Sequence, residues 1–234
     1  MTARLAGRLA LVTGASRGIG RAAAIALGGE GAHVICLART VGGLEETDDL
    51  VRAKGGTTTL VPLDIKDFDG LDRLGASIHE RWGKLDIMIA NAGVLGPLSP
   101  IGHVPPKDWM EVIDVNLTAN FRLIRSLDPL LKLSDAGRAI FVTSNAARAN
   151  RAYWGPYAAS KAGLDSLALT YAAECAKSNV RVNLVNPGHR RTKMRAEAMP
   201  GENPESVPLP EGLGPLFVEL CDPACHRHGE LIKA

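Results

Sequence analysis

The sequence predicts an α/β fold built on one doubly wound parallel sheet of about seven strands with helices on both faces. Three observations lead there. Short β-rich runs alternate along the chain with segments long enough for helices. The runs LALVT, LDIMIA and AIFVTS are almost continuously apolar, as parallel strands covered on both faces must be. The crossovers suit right-handed βαβ units, and neither a repeat nor an interdomain linker interrupts them. Residues 1–234 are therefore expected to form a single domain.

In chain order, strands are expected at Leu9 to Thr13, His33 to Leu37, Thr58 to Leu63, Leu85 to Ala90, Ala139 to Thr143 and Val180 to Asn186, with a short edge strand in the final GELIKA. The Pro/Gly-rich stretch from Met199 to Gly212 cannot continue a helix or a central strand and reads as a long loop. The net charge of +2, from 27 basic and 25 acidic residues, gives no reason to expect a nucleic-acid partner or an anionic membrane surface. Lacking an apolar stretch of membrane-spanning length, the chain is expected to be cytoplasmic, with its four scattered cysteines reduced.

The first turn carries the first sign of function. TGASRGIG, residues 13–20, links a strand to a helix expected from about Ile19, so backbone amides and the helix N-terminus face whatever occupies the turn. A pyrophosphate suits that place: Gly14 permits the tight turn, Gly18 the approach of the ligand, and Gly20 the contact of helix with strand. Ser16, Arg17 and Ile19 complete the candidate contacts. Dinucleotide sites of this kind often place a carboxylate at the end of the second strand to hold ribose hydroxyls, but here Arg39 stands there. Arg17 and Arg39 favour a 2′-phosphate, hence NADP(H) over NAD(H), with NAD(H) still open. The alternative is two solvated surface arginines near Glu45 and Glu46.

YAASK places Tyr157 and Lys161 four apart, on one face of a helix. A phenol titrating near pH 10 is a poor acid–base group at neutral pH, and a neighbouring ammonium lowers its pKa. Ser144 follows the run AIFVT, Asn91-Ala92-Gly93 follows the fourth strand, and Pro187-Gly188 follows the sixth. Open α/β sheets bind ligands at such carboxyl ends, so these segments converge on one crevice.

The glycine turn, Asn91-Ala92-Gly93, Ser144, Tyr157-x-x-x-Lys161 and Pro187-Gly188 resemble, in order and spacing, the motifs of the short-chain dehydrogenase/reductase family, over residues 5 to about 190. The resemblance implies a Rossmann-type fold and hydride transfer between nicotinamide and a small carbonyl or secondary alcohol substrate. It implies Tyr157 as general acid or base, Ser144 as hydrogen-bond donor to the carbonyl oxygen, and Lys161 on the nicotinamide ribose and lowering the Tyr157 pKa. Asn116 matches the fourth member of the set and would hold a water. Asp64 and Ile65 would meet adenine, Asn91, Ala92 and Gly93 its ribose, and Pro187, Gly188 and Thr192 the nicotinamide and pyrophosphate. A homodimer or homotetramer would form through the helices bearing Asn116 and Tyr157. One departure is Arg190, where the family usually carries Val or Ile.

Residues 189–212 fall where the family keeps a substrate lid, or form a variable surface loop. Arg148, Arg151, Arg190, Arg191, Lys193 and Arg195 would flank the crevice, either steering an acidic substrate or solvating the lid. CDPACHRH lacks the paired ligand spacing of structural zinc, so no metal is expected. The resulting expectation is an NADP(H)-preferring oxidoreductase. The competing readings are an NAD-dependent dehydrogenase and a catalytically silent NADP(H)-binding regulator of the same fold.

Overall fold

The computed structural model describes residues 3–234. Among them, seven strands form one sheet: β1 (Leu9–Thr13), β2 (His33–Ala38), β3 (Thr57–Pro62), β4 (Ile87–Ala90), β5 (Arg138–Val142), β6 (Arg181–Asn186) and β7 (Leu231–Lys233). All pair in parallel, in the spatial order β3-β2-β1-β4-β5-β6-β7. The helices are α1 (Gly18–Gly29), α2 (Val41–Arg52), α3 (Phe68–Trp82), α4 (Pro106–Ile113), α5 (Ala119–Leu133), α6 (Ala146–Ala149), α7 (Gly155–Cys175), α8 (Lys193–Ala198) and α9 (Gly214–Cys221). The expected strands agree with the observed ones to within two residues.

Alternation across the sheet, with both faces covered, explains why the central strands β1 and β4 are almost wholly apolar. Leu9 and Leu11 of β1 pack in the layer that holds Leu71 and Ile78 of α3, Leu123 and Leu127 of α5, and Leu164 of α7. Ala10 and Val12 join the opposite layer, with Ala23 and Leu27 of α1, Leu44 of α2 and Phe217 of α9. Neither face of the central strands meets water, whereas the edge strand β3, TTTLVP, is partly exposed and carries three threonines.

After β3 the chain recrosses the sheet and β4 pairs with the other side of β1. This reversal opens a crevice at the carboxyl ends of β1 and β4. The amino ends are tied by charge instead. The buried Asp86 carboxylate accepts the Leu9 amide at 2.9 Å, Arg8 at 3.0 Å, Lys84 at 2.8 Å and the Ser134 hydroxyl. Burial pushes its pKa up, but the bonds from Lys84, Ser134 and Leu9 outweigh that and hold it below its ordinary value.

The stretch Met199 to Gly212, expected as a long loop, holds two short 3-10 turns at Pro204–Ser206 and Pro210–Leu213. Proline forbids a helix interior but suits the first helical position, where its missing amide would have no partner. The prolines here therefore start turns as well as breaking the chain.

Candidate active site

The glycine turn has no room for side chains. Gly14 and Gly18 lie at φ +67° and +56°. A Cβ on Gly20 would stand 2.3 Å from the Gly14 carbonyl oxygen, and one on Gly14 would stand 2.9 Å from Asn91 Nδ2. No side chain caps α1, because the N-cap residue is Arg17, whose guanidinium has donors and no acceptor. The first amides of a twelve-residue helix thus remain free for an anion. Asn91 braces the turn: its Nδ2 donates to Thr13 O at 2.9 Å, and the Asn91 and Ala92 amides both donate to Thr13 Oγ1 at 3.0 Å. The donor set and the close approach of the backbone fit a dinucleotide pyrophosphate.

Arg39, just beyond β2, is largely exposed and sits 3.7 Å from Asp64 Oδ2. Asp64 also accepts the Lys66 amide at 2.9 Å, and Ile65 beside it is buried. The two side chains expected at the adenosine end are thus neighbours, with Asp64 partly neutralising Arg39. Ser16 and Arg17 flank the same turn, and Ile19 lines the adjoining cleft.

That cleft, of about 170 Å³, is lined by Ser144, Tyr157, Asn186, Pro187, Gly188 and Thr192 among others. Ser144 lies two residues past β5, and Tyr157 and Lys161 lie in the first turns of α7, both buried. Lys161 Nζ donates to Val142 O at 2.8 Å and stands 5.9 Å from the centre of the Tyr157 ring. The expected pull of Lys161 on the Tyr157 pKa is opposed by burial. Burial pushes the phenol up, with Ser144 partly offsetting it. The physical reason is tertiary: α7 buries the ring while the ammonium is turned to the strand. A phenol so placed holds its proton at neutral pH, and it becomes a good donor only where a cation offsets its burial.

Burial pulls Lys161 down to about 8, against an opposing pull from Asp165 one turn on. The sign is set by linkage. Between about pH 8 and 10.5 the folded chain sheds this proton while the unfolded chain keeps it, so stability rises with pH there. Denaturant titrations at several pH values should show wild type gaining on the order of 3 kcal/mol over Lys161→Met across that window. A constant difference would place the ammonium in water.

Asn116 lies in a π turn, Asp114–Thr118, between α4 and α5 and is fully buried. Its side chain brackets Val94, accepting the amide and donating to the carbonyl, each at 2.9 Å, and it also donates to Ser160 Oγ at 3.0 Å. Its own carbonyl accepts Asn120 Nδ2 at 2.8 Å. A Cβ on Gly93 would stand 3.2 Å from Asn116 Oδ1 and 3.7 Å from Lys161 Nζ, so the three are contiguous. Here Asn116 positions the Asn91-Ala92-Gly93 segment beside Lys161. π turns often mark functional sites.

Thr192 caps α8 by accepting the Arg195 amide at 3.2 Å, and its methyl faces Gly18 across the crevice. Trp154 was not singled out from the sequence. It packs edge-on to Tyr157 with centroids 6.0 Å apart, and the Arg151 guanidinium lies 5.3 Å over its ring. The signal was its place three residues before Tyr157. The exposed Tyr153, next to Trp154, holds φ +73°, a strained conformation for a bulky residue.

Most of the basic cluster is neutralised locally. Arg148 pairs with Asp165 at 3.1 Å, Arg191 with Glu205 at 3.0 Å, Lys193 with Glu197 at 3.9 Å and Arg195 with Glu202 through two bonds. Arg190 differs. Its Nε is buried without a hydrogen-bond partner, which costs about 1–3 kcal/mol. His228 braces β6 through a 3.2 Å bond from the Val182 amide, and among the described residues no group of three metal-ligating side chains assembles. Nor is any described helix long and apolar enough to cross a membrane.

The short chain dehydrogenase family model matches residues 8–203. The uncharacterised oxidoreductase YciK of Escherichia coli is 38% identical over 216 residues, covering 91% of this chain and 85% of that protein. A 2,3-dihydro-2,3-dihydroxybenzoate dehydrogenase of Bacillus subtilis is 32% identical over 197 residues, covering 84% and 75%. Among solved structures, a Shigella flexneri chain complexed with NADP superposes with a TM-score of 0.94 at 35% identity, covering 100% of this chain and 99% of that one. An E. coli chain complexed with NADPH gives 0.92 at 36%, covering 100% and 98%. Sequence, sheet order and crevice agree, and the chain belongs to the short-chain dehydrogenase/reductase family as an oxidoreductase enzyme.

Proposed function

We propose that this protein is an NADP(H)-preferring reductase of small carbonyl compounds, or in reverse a dehydrogenase of secondary alcohols. The observation that carries the reading is the shared cleft of Ser144 and Tyr157, which opens beside the glycine turn and α1. The turn amides and the α1 N-terminus would hold the pyrophosphate. Asn91 and Gly93 border the ribose side, and Arg17 and Arg39 would meet a 2′-phosphate, displacing Arg39 from its exposed 3.7 Å pairing with Asp64. A nicotinamide dinucleotide bound there would supply the hydride.

The chain's own residues handle the oxygen. Ser144 donates a hydrogen bond to the substrate carbonyl, steadying charge as it builds. Tyr157, kept protonated by burial, gives its proton to that oxygen and recovers one from solvent past Lys161. In the reverse direction Tyr157 must first give up its proton, and the phenolate then takes one from the alcohol. Asn116 keeps Gly93 and Lys161 in register. Met110 on α4 and Phe121 on α5 are about half exposed, which supports association of copies through these helices, in a cytoplasmic enzyme.

NADP and NADPH in the two structural relatives support the cofactor preference; a Mycobacterium tuberculosis relative carries an NAD-dependent name. The test is oxidation of NADPH and NADH across ketones, aldehydes and quinones, with Kd for each cofactor. Arg39→Asp should weaken NADPH about ten- to hundredfold and NADH far less, the scale of one charge-assisted bond. Equal effects on both remove Arg39 from the phosphate site, and tight NADPH binding without turnover on the panel marks a silent binding protein.

A further inference from the structure

We infer that the substrate of this cleft carries an anionic group, a carboxylate or a phosphate, which the Arg190 guanidinium binds; the inference rests on the proposed reductase reading. Three cations line the cleft, Arg151, Arg190 and Arg195, and no aspartate or glutamate does. The three are not equivalent. Arg195 is engaged by both oxygens of Glu202. Arg151 lies over the face of Trp154, at the exposed rim. Arg190 is half-buried, and among the described residues no side-chain hydrogen bond or ion pair engages its guanidinium, whose Nε is shut off from solvent without a partner.

The segment does not lack carboxylates. Glu202 and Glu205 go to Arg195 and Arg191, and Arg190, next to Arg191 in sequence and in the cleft wall, receives none. Only Nε is shut off from water, and the terminal nitrogens of the half-buried guanidinium stay open and, among the described residues, unpaired, free to take an anion that arrives with the ligand. Ser144 and Tyr157, which would take the carbonyl oxygen, line the same cleft. Both ends of one small molecule can therefore be read at once, the C=O by the hydroxyl pair and the anion by Arg190. The planar fork of arginine suits two-oxygen recognition of carboxylate or phosphate. Arg190 is thus assigned as a specificity-determining residue.

The test uses matched carbonyl substrates, each as the free acid, its methyl ester and, where stable, the phosphate-bearing analogue, with NADPH and wild type, Arg190→Ile and Arg190→Lys. The isoleucine variant carries an apolar side chain of the kind the family resemblance implies at this position, and its urea midpoint monitors its integrity. Wild type should prefer the anion over the ester in kcat/KM by about tenfold or more, carried by KM. The preference should collapse in Arg190→Ile and return in part in Arg190→Lys. The same acid-to-ester ratio in wild type and Arg190→Ile overturns the proposal. So does a loss of NADPH affinity with that ratio unchanged, which would give the guanidinium to the cofactor. Independently of turnover, the NADPH complex is titrated with malonate, succinate, glutarate and inorganic phosphate. Arg190→Ile should bind the preferred anion about tenfold more weakly than wild type. If no carbonyl compound is reduced, the reductase reading fails while this titration still decides Arg190; equal binding to both proteins sinks the anion site.

Discussion

Tyr157→Phe lowers kcat/KM for carbonyl reduction by about a thousandfold, inside the range of about 10² to 10⁴ that a positioned general acid contributes. The variant removes one oxygen and leaves the ring. That ring is buried against Trp154 and packs with Leu95 and Ala146, so the α7 start keeps its shape. NADPH affinity should therefore change by less than about threefold, which separates loss of the proton donor from loss of the cofactor site. The fall should appear in kcat as much as in kcat/KM, since the proton moves only as the transition state is reached. Stopped-flow measurement of NADPH consumption in a single turnover reads that step directly. Turnover that survives the substitution would hand the proton to another group, with a water held by Ser144 the first to examine.

The sequence announced those parts of the site that backbone geometry dictates. Gly14 and Gly20 are legible because a side chain at either would collide with Asn91 or the Gly14 carbonyl, so any chain making this turn must surrender Cβ there. The central strands are legible because cover on both faces leaves no polar alternation. The state of Tyr157 was not legible. Spacing puts Lys161 on its face of the helix, yet the direction of the pKa shift is set by how deeply α7 sinks into the molecule. Asn116 could be matched by resemblance, but its bracing of Val94 requires a π turn that periodicity does not announce. Partners far apart in sequence were equally hidden: Arg8 and Ser134 reach Asp86 only after the sheet has assembled.

That last cluster divides the labour of the sheet. Glycines, hydroxyls and the phenol gather at the carboxyl ends of the strands, where chemistry needs open donors. At the amino ends a buried carboxylate takes four donors at once. Asp86→Ala should therefore destabilise the fold by about 3–5 kcal/mol, the usual consequence of removing one partner from a buried charge pair. Arg8 would keep Asp135, but its guanidinium would lose Asp86 in a nearly closed environment, and the Leu9 amide its acceptor. Urea unfolding measures this, and NADPH affinity of the folded variant should match wild type, because the ligand would bind at the far end of β1. The pH dependence adds a second signature. The Asp86 pKa is lower folded than unfolded, so its contribution is complete above the ordinary carboxylate range and disappears as pH falls through the folded value. The gap between wild type and Asp86→Ala should accordingly narrow on acidification. A variant as stable as wild type at neutral pH would show that desolvating the carboxylate costs as much as its four bonds return, and would leave apolar packing alone to fix the register of β1 against β4.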